Sequence, residues 1–147
     1  MVYQALPFVK RMFYLNADLY RYYIGREGQS VQRDVMTRRY QHQLIVTQKC
    51  FETVHLDEIK DSRQQKYLKH ELFMMFGISV LYSRLNKSEE ADQNLEKMWE
   101  GCYAFDEKWA EHFRKHTPLW FISTPGKAGR NLSSTVYLVA NRVVRFN

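Results

Sequence analysis

His112 and His116 have the type and spacing of a metal-binding pair. Residues four apart lie on one face of a helix, so two imidazoles at this spacing can bind the same ion. The chain offers no evident third ligand, and the neighbouring Arg114 and Lys115 would repel a cation. We therefore predict that both histidines are solvated surface residues and that the chain holds no metal.

Other stretches that suggest chemistry lack a required residue. His70-Glu71 has no second histidine to complete HExxH, so a zinc protease is excluded. The stretch from Pro125 to Arg130 lacks GxxxxGK[ST] and is interpreted as a linker into the last helix. Cys50 and Cys102 lie among apolar residues and belong to no CxxC, which predicts two core thiols and a reducing compartment.

The remaining candidate is a short loop near the start of the chain. In the stretch YRYYIGREGQSV, residues 20–31, three tyrosines are followed by a glycine-punctuated turn that carries Arg26 and Ser30. Ser30 is well placed to cap the following helix. Arg26 and Ser30 flank that turn, which makes them the candidate pair of this stretch.

Composition predicts one folded domain. The chain has 147 residues, of which 45% are hydrophobic and 15% aromatic, enough for a substantial core. It shows no leader-like opening and no 18-residue apolar run, so we expect neither secretion by a visible signal nor a transmembrane span. The expected location is cytoplasmic.

The positive charge is concentrated at the end of the chain. The net charge is +6, and residues 117–147 contain four basic side chains and no acid: Lys127, Arg130, Arg142 and Arg145. Such a patch favours an anionic partner, and an anionic membrane surface would place the protein at the inner membrane face. The alternative is a solvated basic face on a helix that packs against the domain's own core.

The elements that must position these residues are mostly helical. A short helix over residues 2–10 is followed by two extended runs, Met12–Leu15 and Leu19–Ile24, which predict a hairpin or two edge strands. The first long helix starts at Ser30, the second runs from about Ile59 to Arg84, and two more begin at Ser88 and Asp106. The last runs from Leu132 to about Arg145.

This order of elements defines the predicted fold class. It is mainly α, a helical bundle of about four to five helices preceded by a short β-hairpin or edge strands. Apolar residues recur every three or four positions in each helix, and the run Met74–Met75–Phe76 is assigned to the core.

Two parts of the chain resemble the C-terminal part of bacterial family 2 glycosyltransferases, which have a GT-A type catalytic domain and assemble cell-surface polysaccharides. One is Leu19-Tyr20-Arg21-Tyr22-Tyr23 followed by Arg26-Glu27-Gly28-Gln29-Ser30. In that family a strand similar to Leu-Tyr-x-Tyr ends the nucleotide-sugar domain, and an Arg/Ser loop and a helical tail follow it. The less specific match is the tail from Gly129 to Asn147.

The resemblance implies two segments and an incomplete enzyme. Residues 1–31 correspond to the end of the transferase domain and residues 32–147 to a helical C-terminal domain. The chain has no Asp-x-Asp metal site, and it lacks the strand–helix alternation of a nucleotide fold. We therefore expect a catalytic domain upstream in a longer chain, with the nucleotide-sugar and the divalent metal bound there. This chain alone should not be active.

By the same resemblance, Arg26 and Ser30 would bind the donor diphosphate. The simpler interpretation is that Ser30 caps a helix and Arg26 is solvated. Two other functions stay open: a stand-alone helical interaction module that forms a homo-oligomer, and a nucleic-acid-binding domain. The last is disfavoured because the basic residues do not cluster with aromatics on one helix. The donor sugar and the acceptor are not specified by the sequence.

Overall fold

A computed structural model of the chain describes residues 2–21, 32–124 and 126–144. These residues are mostly helical, which confirms the predicted fold class. Four of the helices have 13 residues or more. The α-helices of the described ranges are α1 (Val2–Ala5), α2 (Arg33–Arg38), α3 (Tyr40–Glu52), α4 (Ser62–Asn86), α5 (Glu89–Phe105), α6 (Glu107–Lys115), α7 (Leu119–Ile122) and α8 (Gly126–Val144), with single 3-10 turns at Leu6–Phe8 and Leu56–Glu58.

The predicted β-hairpin is not confirmed. Residues 9–21 form no strand, and the end of the second predicted strand, residues 22–24, lies outside the described residues. Aromatic residues favour strands, but a strand forms only where a neighbouring strand accepts its backbone hydrogen bonds. No such neighbour exists among the described residues, so the apolar run Met12–Leu15 has no regular structure.

Side-chain caps fix where three helices begin. Asp61 accepts hydrogen bonds from the backbone N–H groups of Arg63 and Gln64, so α4 begins at Ser62 rather than at the predicted Ile59. The caps predicted at Ser88 and Asp106 are confirmed, since each side chain accepts a backbone N–H three residues later. Oxygen side chains at these positions satisfy N–H groups that have no partner within the helix.

Helix α8 begins six residues before the predicted start at Leu132, because the stretch interpreted as a linker forms its first turns. Gly126 has φ 76° and starts the helix. At Gly129 the helix passes so close to the Thr124 carbonyl oxygen that a Cβ atom would overlap it. Glycine, which usually indicates a loop, is required here for close approach of two backbone segments.

Helix α4 is the centre of the fold and packs against α2, α3, α5, α7 and α8. Its residues Leu68, Leu72, Phe76 and Val80 are four apart and completely buried. Phe76 stacks on Trp99 of α5 with ring centroids 4.7 Å apart and planes 8° apart. The long helices are therefore joined by one apolar core.

The predicted core run on α4 is partly wrong. Phe76 is buried, but Met74 is 47% exposed. Consecutive residues of a helix point about 100° apart, so three in a row cannot all face one core. The two cysteines are buried as predicted. Burial raises the pKa of the Cys102 thiol to about 12, so this thiol stays protonated and unreactive at neutral pH.

The N-terminal residues pack on the same helical body. The Tyr3 hydroxyl donates to the Leu68 carbonyl at 3.3 Å, and Tyr3 belongs to the core cluster. The Gln64 side chain donates to the carbonyls of Leu6 and Pro7 at 2.9 and 3.1 Å. The first part of the segment assigned to residues 1–31 is thus attached to α4.

Two glycine substitutions should have opposite effects on stability. Gly129→Ala should lower the free energy of unfolding by about 1–3 kcal/mol, because the new methyl group overlaps the Thr124 carbonyl. In Gly77→Ala the new methyl group contacts only Leu119, at an ordinary 3.7 Å. This substitution should raise the free energy of unfolding by about 0.5–1 kcal/mol, since alanine favours a helix interior. Urea unfolding followed by circular dichroism measures both. Equal effects at the two sites would contradict the close approach at Gly129.

Candidate functional site

The structure describes only part of the predicted site. Arg26, Ser30 and Arg145 lie outside the described residues. Arg142 lies on α8, whose backbone is described there. Lys127 is exposed in the first turn of α8, and Arg130 follows it one turn later. Their assignments to a donor diphosphate and to an anionic surface remain predictions.

Arg130 is held by a carboxylate of the domain. Its Nη1 donates to Asp92 Oδ2 at 3.0 Å, and the Arg130 side chain is only 14% exposed. The other Asp92 oxygen accepts from Nη1 of Arg84 at 2.5 Å, and Arg84 Nη2 donates to the Ser123 carbonyl at 2.9 Å. Two arginines therefore share one carboxylate, and Arg130 contributes less free charge to the basic tail than the sequence suggests.

Arg84 is the fully buried member of this cluster. A buried guanidinium is costly to desolvate. Removing only its partner leaves the charge uncompensated, which is far more destabilising than replacing the whole pair by apolar residues. Asp92 lies near the N-terminus of α5, where the helix dipole also favours a negative charge. We assign the cluster a structural role: it joins the end of α4, the start of α5 and the segment between α7 and α8.

A second group of polar side chains surrounds a shallow cleft between α4 and α6. Helix α4 supplies Lys69, His70 and Phe73, and α6 and the residue after it supply His112 and His116. The cleft has a volume of about 390 Å³. Thr117 and Pro118 close one end of it. No carboxylate is among the described residues that line this cleft, which we call the α4–α6 cleft.

Two acids close to the α4–α6 cleft, Asp57 and Glu111, are bonded to cations outside it. Asp57 accepts from Lys108 Nζ at 2.7 Å and from the Trp109 indole N–H at 3.2 Å. Glu111 is paired with Lys115 at 2.9 Å. Lys69 lies over the Trp109 ring, 4.2 Å from its centroid, and has no carboxylate within 4.0 Å among the residues described.

The local field acts on His112. Partial burial, followed by the nearby charges of Lys69 and His116, holds the pKa of His112 below its ordinary value of 6.5. Its imidazole is therefore neutral at pH 7. Because the pKa in the folded state is lower than in the unfolded state, protonation opposes folding. The contribution of His112 to stability is present above pH 6.5 and falls away as the pH drops below it.

The cleft does not form a metal centre from the residues in view. The His112 and His116 rings lie 6.4 Å apart between centroids. Over the described ranges, no group of three or more histidine, cysteine, aspartate or glutamate side chains could hold a metal ion. A divalent metal of the kind that the family resemblance implies has no set of ligands there, and we derive no step through one.

Sequence reasoning missed the α4 half of this cleft. The spacing of His112 and His116 is visible in the sequence, but Lys69 and Phe73 lie about forty residues away and only packing brings them close. A weak signal did exist. Lys69, His70 and Phe73 form i, i+1 and i+4 positions on the helix, beside the buried stripe of Leu68 and Leu72.

The Arg84–Asp92–Arg130 cluster predicts a strong asymmetry between two carboxylate variants. Asp92→Asn should lower the free energy of unfolding by about 3–5 kcal/mol, because it leaves the buried Arg84 without a counter-charge. Glu111→Gln removes an exposed pair with Lys115 and should leave the urea midpoint unchanged. Chemical denaturation of both variants is the measurement. An Asp92→Asn protein as stable as the wild type would show that the cluster has no structural role.

Comparison with protein-family models, curated proteins and solved structures gives no match to this chain. Among the helices described, none has both the length and the apolar character needed to cross a membrane. We therefore infer the function from the residues themselves and from how the fold arranges them.

Proposed function

We propose that this chain is the C-terminal accessory segment of a nucleotide-sugar-dependent glycosyltransferase for cell-surface polysaccharide synthesis. The helical domain would be joined to its catalytic domain through the apolar segment that precedes α2. In this function the chain binds the catalytic domain and completes the donor site, while the metal and the catalytic base belong to that domain.

The observation that carries the proposal is the exposure of residues 12–19. Phe13, Tyr14, Leu15 and Leu19 are 70–89% exposed, although they follow a segment that packs on α4. Large apolar side chains that are exposed together indicate a surface that another protein body covers. The helical core is already complete without them, because its buried cluster includes none of these four residues.

Covering the exposed segment is favourable only if its backbone is also bonded. Burying Phe13, Leu15 and Leu19 contributes about 1.5–3 kcal/mol for each side chain, or about 4.5–9 kcal/mol for the three. Ordering the backbone costs about 1–2 kcal/mol per residue, or about 8–16 kcal/mol for residues 12–19, which offsets that gain. A segment of this kind is stable only if a neighbouring surface also accepts its backbone hydrogen bonds, as the edge of a β-sheet does.

The sequence supports a transferase domain as that neighbour. The exposed segment leads directly into Leu19-Tyr20-Arg21-Tyr22-Tyr23 and the Arg26/Ser30 loop, in the order that the family resemblance requires. In the proposal this segment is the last strand of the nucleotide-sugar domain, and Arg26 and Ser30 lie at the donor diphosphate. The basic residues Lys127, Arg142 and Arg145 would face an anionic membrane surface on the cytoplasmic side.

The same exposed segment also favours a second candidate, a stand-alone interaction module that dimerises. In that function two copies would cover each other's Phe13, Tyr14, Leu15 and Leu19, and no catalytic domain would be needed. Analytical ultracentrifugation of the chain and of a Phe13→Ser/Leu15→Ser variant separates the two. The proposed function requires a monomer in both cases, whereas a dimer that the variant dissociates supports the module.

The proposed function predicts which residues chymotrypsin reaches. The experiment is to sequence the gene upstream of the Met1 codon and to express the entire reading frame beside the 147-residue chain. In the chain alone, Phe13 and Tyr14 should be cleaved within the native state because they are exposed. In the longer protein the same bonds should be cleaved at least about tenfold more slowly, because the catalytic domain covers them.

Buried aromatics provide the internal control. Phe51 and Phe76 should be cleaved in neither protein until the helical domain unfolds. The proposal is wrong if the reading frame contains no Asp-x-Asp domain. It is also wrong if chymotrypsin cleaves the longer protein at Phe13 and Tyr14 as fast as it cleaves the chain alone.

The chain by itself should not transfer or hydrolyse a nucleotide-sugar. The physical reason is that it has no Asp-x-Asp metal site and no nucleotide-binding strands. The measurement is release of nucleoside diphosphate from a panel of nucleotide-sugars with Mn²⁺, with the complete enzyme as positive control. Met74→Ala, a substitution at an exposed position, serves as the control variant. Turnover by the purified chain that is equally present in this variant would contradict the prediction.

A further inference from the structure

The α4–α6 cleft is lined by one lysine and three histidines and, among the described residues, by no acid. Lys69 and His70 come from α4, and His112 and His116 from the opposite side. Two acids close to it, Asp57 and Glu111, are already bonded to Lys108 and Lys115. Lys69 carries a positive charge and the imidazoles can take one up, so a bound anion is stabilised there.

The position of Lys69 supports this interpretation. Its ammonium group lies 4.2 Å from the Trp109 ring centroid, and Lys108 lies over the same ring at 5.1 Å. The ring holds this ammonium group with no carboxylate within 4.0 Å among the described residues, so its N–H groups stay available, although Asp57 lies within electrostatic reach of it. The three donors of an ammonium group suit the several oxygens of a phosphate.

The cleft is not uniformly polar. Phe73, Phe113 and Pro118 also line it, so one part presents apolar surface beside the cationic groups. A bare inorganic ion would leave that part solvated. An anion attached to an organic group would cover it.

A larger opening on the other side of the two histidines is unsuitable. It has a volume of about 520 Å³ and shares His112 and His116, but Glu107 and Glu111 line it. Lys108 lines it as well and Glu111 is paired with Lys115, but Glu107 has no ion pair among the described residues, so its carboxylate would repel an anion. The charge pattern thus selects the side that faces α4.

We propose that the α4–α6 cleft binds a phosphate group that is carried by an organic molecule, either a soluble phosphate ester or the headgroup of a lipid. Lys69, His70, His112 and His116 provide the donors, and Phe73 and Pro118 contact the organic part. This binding is independent of the glycosyltransferase proposal, because it uses none of the residues of the segment before α2 or of the Arg26/Ser30 loop.

Binding should depend on pH in a defined direction. A phosphate in the cleft favours the protonated imidazoles, so it raises the pKa of His112, which partial burial and the charges of Lys69 and His116 now lower. By linkage, the affinity increases as the pH falls from about 7.5 to about 6.5, by at least about threefold, because a phosphate ester with a second pKa near about 6 keeps most of its charge in this range. Asp57 and Glu111 remain ionised over this range and stay with their lysines.

The test uses the full chain with glycerol 3-phosphate, followed by NMR of the histidine ring protons. Glycerol 3-phosphate should shift the signals of His112 and His116 with saturation, raise the pKa of His112, and leave His42 and His55 on other faces unmoved. The variant His112→Gln/His116→Gln should weaken binding by at least about fivefold. The matched control His42→Gln/His55→Gln should bind as the wild type does.

Vesicles distinguish the two sources of the phosphate. If a lipid headgroup is the ligand, the chain sediments with phosphatidic acid vesicles, not with phosphatidylcholine alone, and His112→Gln/His116→Gln abolishes this. If a soluble ester is the ligand, glycerol 3-phosphate saturates the cleft and the vesicles do not bind the chain.

Two results would overturn the proposal. One is the absence of saturable shifts at His112 and His116 up to about 10 mM glycerol 3-phosphate at low salt. The other is equal shifts at His42 and His55, which would mean diffuse attraction by the net charge of +6. His112 is half-buried beside Trp109 and Phe113, and His116 is exposed, so Gln at these two positions should keep the helical fold. Circular dichroism of the variants should match that of the wild type.

Discussion

The buried guanidinium of Arg84 constrains much of the fold. It lies in the last turn of α4 with no exposed surface, and it needs both a counter-charge and a carbonyl acceptor within reach. Asp92 of α5 supplies the first, and the Ser123 carbonyl supplies the second. Both can be in place only if the turn between α4 and α5 reverses the chain at once, which the left-handed Lys87 and the Ser88 cap achieve. The position of α8 follows, because Arg130 shares the same carboxylate and Gly129 brings the helix against Thr124.

Features that depend on local chemistry could be predicted from the sequence. Ser88 and Asp106 cap the helices that follow them, and the apolar stripe of α3 and α4 gives the buried face, because capping and periodicity act within a few residues. The start of α8 could not be predicted in this way. Gly126 and Gly129 are residue types that usually indicate a loop, and only the folded backbone shows that the helix at Gly129 passes close to the Thr124 carbonyl. The hairpin expectation had the opposite weakness: strand propensity was present, but it cannot specify a partner strand.

The candidate sites follow the same distinction. Two histidines four apart are a local pattern, and the sequence identified them, although it assigned them to plain surface. The cleft also includes Lys69, which comes from another helix. Its charge depends on which cations the neighbouring acids are paired with, and not on the number of acids. Arg130 shows the same limit of the sequence. By sequence it belongs to a basic tail without acids, whereas in the fold it is paired with Asp92 and mostly buried. Net charge alone does not distinguish these cases.

The geometry of α4 determines how the proposed surfaces relate to each other. Gln64 holds the segment that leads into residues 12–19, and Lys69 faces the cleft five residues later. Five residues correspond to about 7.5 Å along a helix axis and about 140° around it. The Gln64 contact and the cleft therefore lie at the same end of α4 but on different sides of the helix. The Arg84 cluster is twenty residues from Gln64, about 30 Å along the axis, and it fixes the far end of the helix. One helix thus carries all three features, and because it is rigid, it keeps the Gln64 contact and the cleft at a constant separation.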